Sequence, residues 1–493
     1  MPHRRSPFRR SAPLHTSLPQ RPGPIGQPLT LDRRRVLSGL AAAPLIVGGG
    51  AAAFASETQS GIGPQILEAS RHLLGRDGAL FDRALSTLTD YGKPDIAPTL
   101  ILALRFSWAD RDAIAAVLRD VTGHQAGTDW FDWMLWQERN PQIVPHPSFT
   151  TVKRDVFLRI DPNFDVFLKP AFLERDRMGI RFEEIAWGGV EKDGIPSLDN
   201  PKLVAAEEAD YLRGDDLIFG VSINGDQRAY PLRIMGWHEM FNETIGGVPL
   251  ALAYCTLCGS GILFETAVEG REVPFVFGSS GFLYRSNKLM FDRETHSLWN
   301  QFTGEPVVGP LADSGLALKQ RPVTIEAWSR WKARNPQTRV LSLDTGHVRN
   351  YGSGVVYRDY FASPALMFPT VTDETRLRQK DYVFGVRTVG ASKAWPLNAF
   401  KGERVLNDSV GRLPLVLIGE ADGRTVRAYE RGDHEFQRGR FGRGLVAGGQ
   451  AWEMTEEALI GPGGERAPRV AGHVAYWFAW DGYLGLRSEL YTE

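Results

Sequence analysis

Cys255 and Cys258 are the only cysteines in a chain of 493 residues, and they stand two residues apart in ALAYCTLCGSG. Thiols at C-x-x-C can close a disulfide, exchange electrons with another thiol, or hold a soft metal ion as thiolates. His238 lies on a predicted helix just before the strand that ends at Cys255. Packing of that helix on that strand brings its end beside the strand exit, so His238 is a third candidate ligand. Two thiolates and an imidazole suit copper first, then zinc or iron. A closed structural zinc site would show a second C-x-x-C or an H-x3–5-H pair; none is present, so an open coordination position is expected. Glu239 is either a further ligand, an orienting residue or a general acid/base. His296, in FDRETHSLW, is a possible fourth ligand or an exposed hairpin residue. Arg285, Asp292 and Trp299 of the same hairpin either line a pocket or form an edge salt bridge and a core aromatic.

An internal repeat says which of these residues the scaffold needs. Residues 216–254, DLIFGVSINGDQRAYPLRIMGWHEMFNETIGGVPLALAY, align without a gap with residues 381–419, DYVFGVRTVGASKAWPLNAFKGERVLNDSVGRLPLVLIG. About a third of the positions are identical, where ordinary composition gives about one in twenty. Two copies of one unit related by a pseudo-twofold axis are expected. Gly220, Gly225, Pro231, Asn242, Gly246 and Pro249 recur as Gly385, Gly390, Pro396, Asn407, Gly411 and Pro414. Turns and strand starts explain them, and Asn242 reads as a turn or capping residue rather than a ligand. His238, Cys255 and Cys258 correspond to Glu403, Glu420 and Gly423. The fold therefore does not require them, and they look like a site added to one copy.

Each copy reads as strand, glycine turn, strand, short helix, turn and buried strand. Asn224-Gly225 is a hairpin signal, and a helix from RIMGWHEMFNETIGG is expected to close at Gly246 and Gly247. VPLALAY suits a central strand. Ahead of the repeat, PQILEASRHLL, GALFDRALSTLTDY, DIAPTLILALRF and DRDAIAAVLRDVTG place apolar residues at helical steps. Trp130, Trp133 and Trp136 fall on one helical face, most simply as core. The expected class is α+β: two repeated antiparallel-β-rich units with short helices, preceded by a small all-α layer. The expected segments are a helical domain over 56–140, a proline-containing surface connector over 141–193, a first repeat over 194–340 carrying the Cys/His site, and a degenerate second repeat over 341–493.

The first 55 residues follow other rules. They hold eight arginines and one acid, and Arg33, Arg34 and Arg35 lead into a Gly/Ala-rich apolar run ending Ala53-Phe54-Ala55. This reads as a twin-arginine signal peptide cleaved near Ala55, with a periplasmic or extracytoplasmic destination and no stable membrane span afterwards. Its removal takes the formal net charge from −1 to about −8, which argues against nucleic-acid binding. No phosphate loop, hydrolase elbow or Rossmann fingerprint is present.

The segments WHEMFNETIGGVPLALAYCTLCGSGILFE and GFLYRSNKLMFDRETHSLWNQFTGEPVVG resemble the exported bacterial and archaeal proteins grouped as domain of unknown function 3179. The pattern is H-E-x-x-N, then Y-C-P-L-C, then a hairpin ending S-x-W. His238, Glu239, Asn242, Tyr254, Cys255, Cys258, Asp292, Ser297 and Trp299 match it. Thr256 stands in place of the usual proline, Arg285-Ser286-Asn287 departs from the usual N-S-D wording, and the pattern does not require His296. The resemblance covers residues from Gly194 to the C-terminus and implies an exported protein of this fold, without an established reaction.

Three readings follow. One is a metal-dependent oxidoreductase with one soft metal, copper foremost, on Cys255, Cys258 and His238. The second is a thiol–disulfide or metal-transfer protein without a tightly bound cofactor, acting on a small molecule or redox partner. The third is a non-enzymatic binding or structural protein whose two cysteines form a local clip. No partner of the helical layer can be named from its sequence.

Overall fold

Helices come first in the described chain, and the sequence marks their ends. Asp77, Asp110 and Asp129 accept backbone N–H groups at the starts of Gly78–Tyr91, Arg111–Thr122 and Trp130–Arg139; Gly92 and Gly123 close the first two in the left-handed conformation. The computed structural model describes residues 52–439 and 444–492, so the expected signal peptide lies outside the described residues but for its last four positions. No described helix is long and apolar enough to cross a membrane. Trp133 and Trp136 are buried in the core, and Trp130 is half-buried under the Arg105 guanidinium.

The stretch 141–193 differs from the surface connector expected of it. Ser148–Ile160 is a helix, and Phe149, Val152, Val156 and Phe157 on its inner face are buried, as are Phe164 and Phe167 just beyond it. Pro147 and Pro162 flank the helix, where proline's fixed φ does no harm. The rings of Phe157 and Phe164 lie 4.9 and 4.4 Å from that of Phe282 in the strand Phe277–Tyr284. The helices thus share one core with the first-repeat sheet, and Glu57–Glu493 folds as a single unit.

The duplication is visible in strand register. Val221 pairs with Arg228 as Val386 pairs with Lys393; Asn242 pairs with Ala251 as Asn407 pairs with Val416; Cys255 pairs with Ser260 as Glu420 pairs with Thr425. Asn224 and Gly225, both at positive φ, make the expected hairpin turn. The repeat also extends further than the alignment. The strands Thr324–Ala327 and His473–Tyr476 pair with the opening strands of the two copies, and a helix follows each, Trp328–Arg334 and Trp477–Leu484. From these helices Trp331 and Trp480 press on Gly220 and Gly385, where a Cβ would collide with the indole. Both glycines are kept for that close approach. Arg339–Leu341 and Glu489–Leu490 then pair in parallel with the second strands of the two copies.

One predicted helix is shorter than expected. Leu232–His238 stops at Glu239, which takes φ 55° and donates its N–H to Met235 O. Met240–Ile245 is a strand, because Val248–Cys255 offers it a full antiparallel ladder; Gly246 and Gly247 form the hairpin turn between them. Asn242 is accordingly a strand residue, not a cap. Its amide donates to Phe277 O at 2.8 Å and accepts from Phe277 N at 2.8 Å, stitching this sheet to the next. Asn407 does the same to Phe436, at 2.7 and 2.9 Å.

A link, 342–381, joins the copies and carries one short helix, Arg358–Ala362. Three of its tyrosines reach back to the first copy: Tyr351 to His238, Tyr357 to Glu239 and Tyr360 to Leu257 O.

Candidate functional site

The C-x-x-C segment is a tight turn between Val248–Cys255 and Ser260–Glu265. Cys258 N donates to Cys255 O at 3.2 Å and Gly259 N to Thr256 O at 3.2 Å, with Gly259 at φ 61°. The turn sets the two Sγ atoms 2.9 Å apart. Cys255 is 2% exposed and Cys258 fully buried. Cys258 Sγ faces two acceptors, Ser286 O at 3.4 Å and Asn287 Oδ1 at 3.3 Å. Burial, with the adjoining Cys255 sulfur, pushes the Cys258 thiol well above its usual pKa. The second copy solves the same turn with oxygen: the Glu420 carboxylate accepts from Asp422 N and Gly423 N at 2.9 and 3.0 Å.

Glu239 stands directly beside this turn. Its left-handed backbone turns the chain so that Glu239 O accepts from Tyr254 N at 2.8 Å. Its Oε1 accepts from Thr256 Oγ1 at 2.7 Å and from the Tyr357 hydroxyl at 3.3 Å, while Oε2 lies 3.1 Å from Lys288 Nζ. Glu239 and Lys288 are both buried. A buried ion pair of this kind is held together because either charge alone would be uncompensated. The carboxylate also pushes the Tyr357 phenol up, chiefly through its charge.

His238 is buried but not presented to the thiols. Its Nδ1 donates to Pro196 O at 2.9 Å, which leaves Nε2 of the neutral ring as acceptor from the Tyr351 hydroxyl at 2.6 Å. Burial lowers its pKa to about 4, so the ring is neutral at pH 7. Both nitrogens are thus engaged away from Cys255 and Cys258. Among the described residues no three His, Cys, Asp or Glu side chains are grouped to hold one metal ion.

The remaining candidates scatter. Arg285 occupies the hairpin turn beside Ser286 and Asn287, but its guanidinium reaches Glu184 Oε2 at 2.7 Å and Gly482 O at 2.8 Å, tying the helical layer to the C-terminal helix. Asp292 is consumed by its own hairpin, accepting from Thr295 N, Thr295 Oγ1 and Trp299 Nε1 at 2.6, 2.7 and 2.9 Å. Trp299 is a core aromatic against Phe275 and Phe277. His296 sits at φ 58° in that turn, its ring stacked 6.3 Å from Phe291. A cleft of about 720 Å³ opens beside Tyr254, Tyr382, Arg424 and Tyr476, but neither cysteine lines it.

A family model described as "Protein of unknown function (DUF3179)" matches residues 192–485. The chain belongs to DUF3179. No curated protein and no solved structure matches it. The matched span holds the duplicated body up to its last strand, Glu489–Leu490, and includes Glu239, the C-x-x-C turn and the link that covers them.

Where the DUF3179 pattern usually carries proline, Thr256 supplies the hydroxyl that joins the turn to Glu239. Lys288 was missed from sequence, although it left a signal: it is the one charge within NKLMF, an otherwise apolar or amide run in a strand buried at every position. Asn287, Tyr357 and Tyr360 had no such mark, because their relation to the cysteines arises only through tertiary packing.

Proposed function

We propose that this DUF3179 protein carries a reversible dithiol–disulfide centre, with Cys255 as the nucleophile and Cys258 as the thiol that resolves it. The observation that carries the reading is the pair of sulfurs 2.9 Å apart at the ends of one turn, with unlike surroundings. Cys258 faces acceptors that hold its proton, while Cys255 adjoins Thr256 and, through it, the Glu239 carboxylate. Approach of the sulfurs by about 1 Å forms the bond without undoing the turn. Closure releases two electrons and two protons to an acceptor, and Glu239 is the base we assign to the Cys255 proton. The twin-arginine reading of residues 1–55 supports this, since it sends the pair to an oxidising compartment outside the cytoplasm.

A soft metal ion on the same two thiols is the competing occupant. Elemental analysis paired with thiol counting in denaturant separates the two. The redox reading expects two thiols after reduction, none after mild oxidation, and no stoichiometric metal in either form. One metal per chain, lost in Cys255→Ser, would overturn it and restore the metal-dependent reading.

A further inference from the structure

Four residues that pair with, touch or adjoin the C-x-x-C turn each carry a buried side-chain atom with no hydrogen-bond partner: Ser260 Oγ, Ser286 Oγ, Asn287 Nδ2 and Gln301 Oε1. All four residues are at least nine-tenths buried. Their place follows from the ladder and the thiol contacts. Ser260 is the cross-strand partner of Cys255 and shares its face. Ser286 and Asn287 already touch Cys258 Sγ through other atoms. Gln301 Nε2 donates to Ala253 O and Ser260 O at 2.8 and 3.3 Å, beside the strand that ends in Cys255. A buried polar atom without a partner costs about 1–3 kcal/mol, so four in one place mark a site built to be filled by something polar.

Size and chemistry narrow what fills it. The sulfurs are closed to a protein disulfide, whose attack needs an open line to Sγ, and Tyr357 and Tyr360 cover the turn. Three of the orphan atoms belong to groups that donate, and the fourth accepts. A hydroperoxide has the complementary set, two oxygens that accept and one O–H that donates. Resting on the dithiol reading above, we propose that the acceptor of this centre is a small hydroperoxide, bound against Cys255 by Ser260, Ser286, Asn287 and Gln301.

The reaction balances with the groups present. The Cys255 thiolate attacks the terminal peroxide oxygen; the O–O bond breaks, Cys255 becomes a sulfenic acid, and the alkoxide leaves as an alcohol after taking the proton lost from Cys255. Cys258 sulfur then attacks the Cys255 sulfur, the S–O bond breaks, and hydroxide departs with the Cys258 proton as water. Two thiols and one hydroperoxide give one disulfide, one alcohol and one water.

The test uses reduced full-length protein with hydrogen peroxide, tert-butyl hydroperoxide and oxidised dithiothreitol as separate oxidants, followed by thiol titration and intact mass. Hydrogen peroxide is expected to remove both thiols at one equivalent, faster than it oxidises free cysteine. Cys258→Ser is expected to stop at a Cys255 sulfenic acid trapped by dimedone, and Cys255→Ser to trap none. Ser260→Ala, which changes only a hydroxyl, and Asn287→Ala are each expected to slow the peroxide reaction at least about tenfold. Oxidation by the small disulfide alone, with peroxide no faster than on free cysteine, overturns this inference and leaves the dithiol reading standing. Thiols that no oxidant closes into a disulfide overturn both.

Discussion

Glu239 and Lys288 form a buried ion pair at 3.1 Å, and the same carboxylate accepts the Thr256 hydroxyl from inside the C-x-x-C turn. The pair therefore fixes a charged base beside the thiols while neutralising its cost. Removing one partner should be far worse than removing both. Lys288→Met is expected to cost about 3–5 kcal/mol in urea unfolding, and Lys288→Met with Glu239→Gln to recover most of it. A double-variant loss equal to the sum of the Lys288→Met and Glu239→Gln losses would show that the pair contributes no coupling.

The duplicated clamps give a matched comparison. Asn242→Ala strips partners from both Phe277 N and Phe277 O in a buried site and is expected to cost about 2–4 kcal/mol. Asn407→Ala does the same to Phe436, but Asn407 is only half-buried and water can replace it, so a smaller loss is expected. Chemical denaturation of the two variants measures the difference.

Much of this was legible before any coordinates. The repeat located the scaffold, and its second copy, with Glu420 and Gly423 in place of the cysteines, already implied that the turn folds without sulfur. The hairpins and front helices also followed from local signals, Asn224-Gly225 and the helical spacing of apolar residues in segments such as GALFDRALSTLTDY. What misled was local ambiguity resolved by tertiary pairing. RIMGWHEMFNETI has helical spacing throughout, yet Val248–Cys255 claims its second half as a strand. Likewise His238 precedes the cysteine strand closely enough to suggest a shared ligand set, while its ring is drawn to Pro196 O and Tyr351, a partner 113 residues away.

Because the scaffold tolerates the turn without cysteine, the reduced protein should lose little when both are removed. Cys255→Ala with Cys258→Ala is expected to cost under about 2 kcal/mol, a small-cavity effect. Its thermal unfolding under reducing conditions should stay cooperative and close to that of the parent. A collapse of the fold would instead make the cysteines structural.

His238 gives a pH dependence with a definite sign. Its folded pKa of about 4 lies below the usual 6.5, so between those values the unfolded chain takes up a proton that the folded one refuses. Stability from this residue is unaffected above pH 6.5, falls as pH drops through the window, and levels off below 4, by at most about 3 kcal/mol. The neighbouring His347 and Arg349 charges add to the depression behind burial. His238→Asn should flatten that part of the pH–stability curve relative to the parent. A curve of unchanged slope would place the proton elsewhere.

The central claim is tested most directly by equilibrating the full-length protein in dithiothreitol redox buffers of graded potential and counting alkylated thiols by mass. A single reversible two-electron transition is predicted, in which Cys255 and Cys258 are lost and regained together. Two thiols that stay reduced across the whole range, or that titrate one at a time, would contradict it.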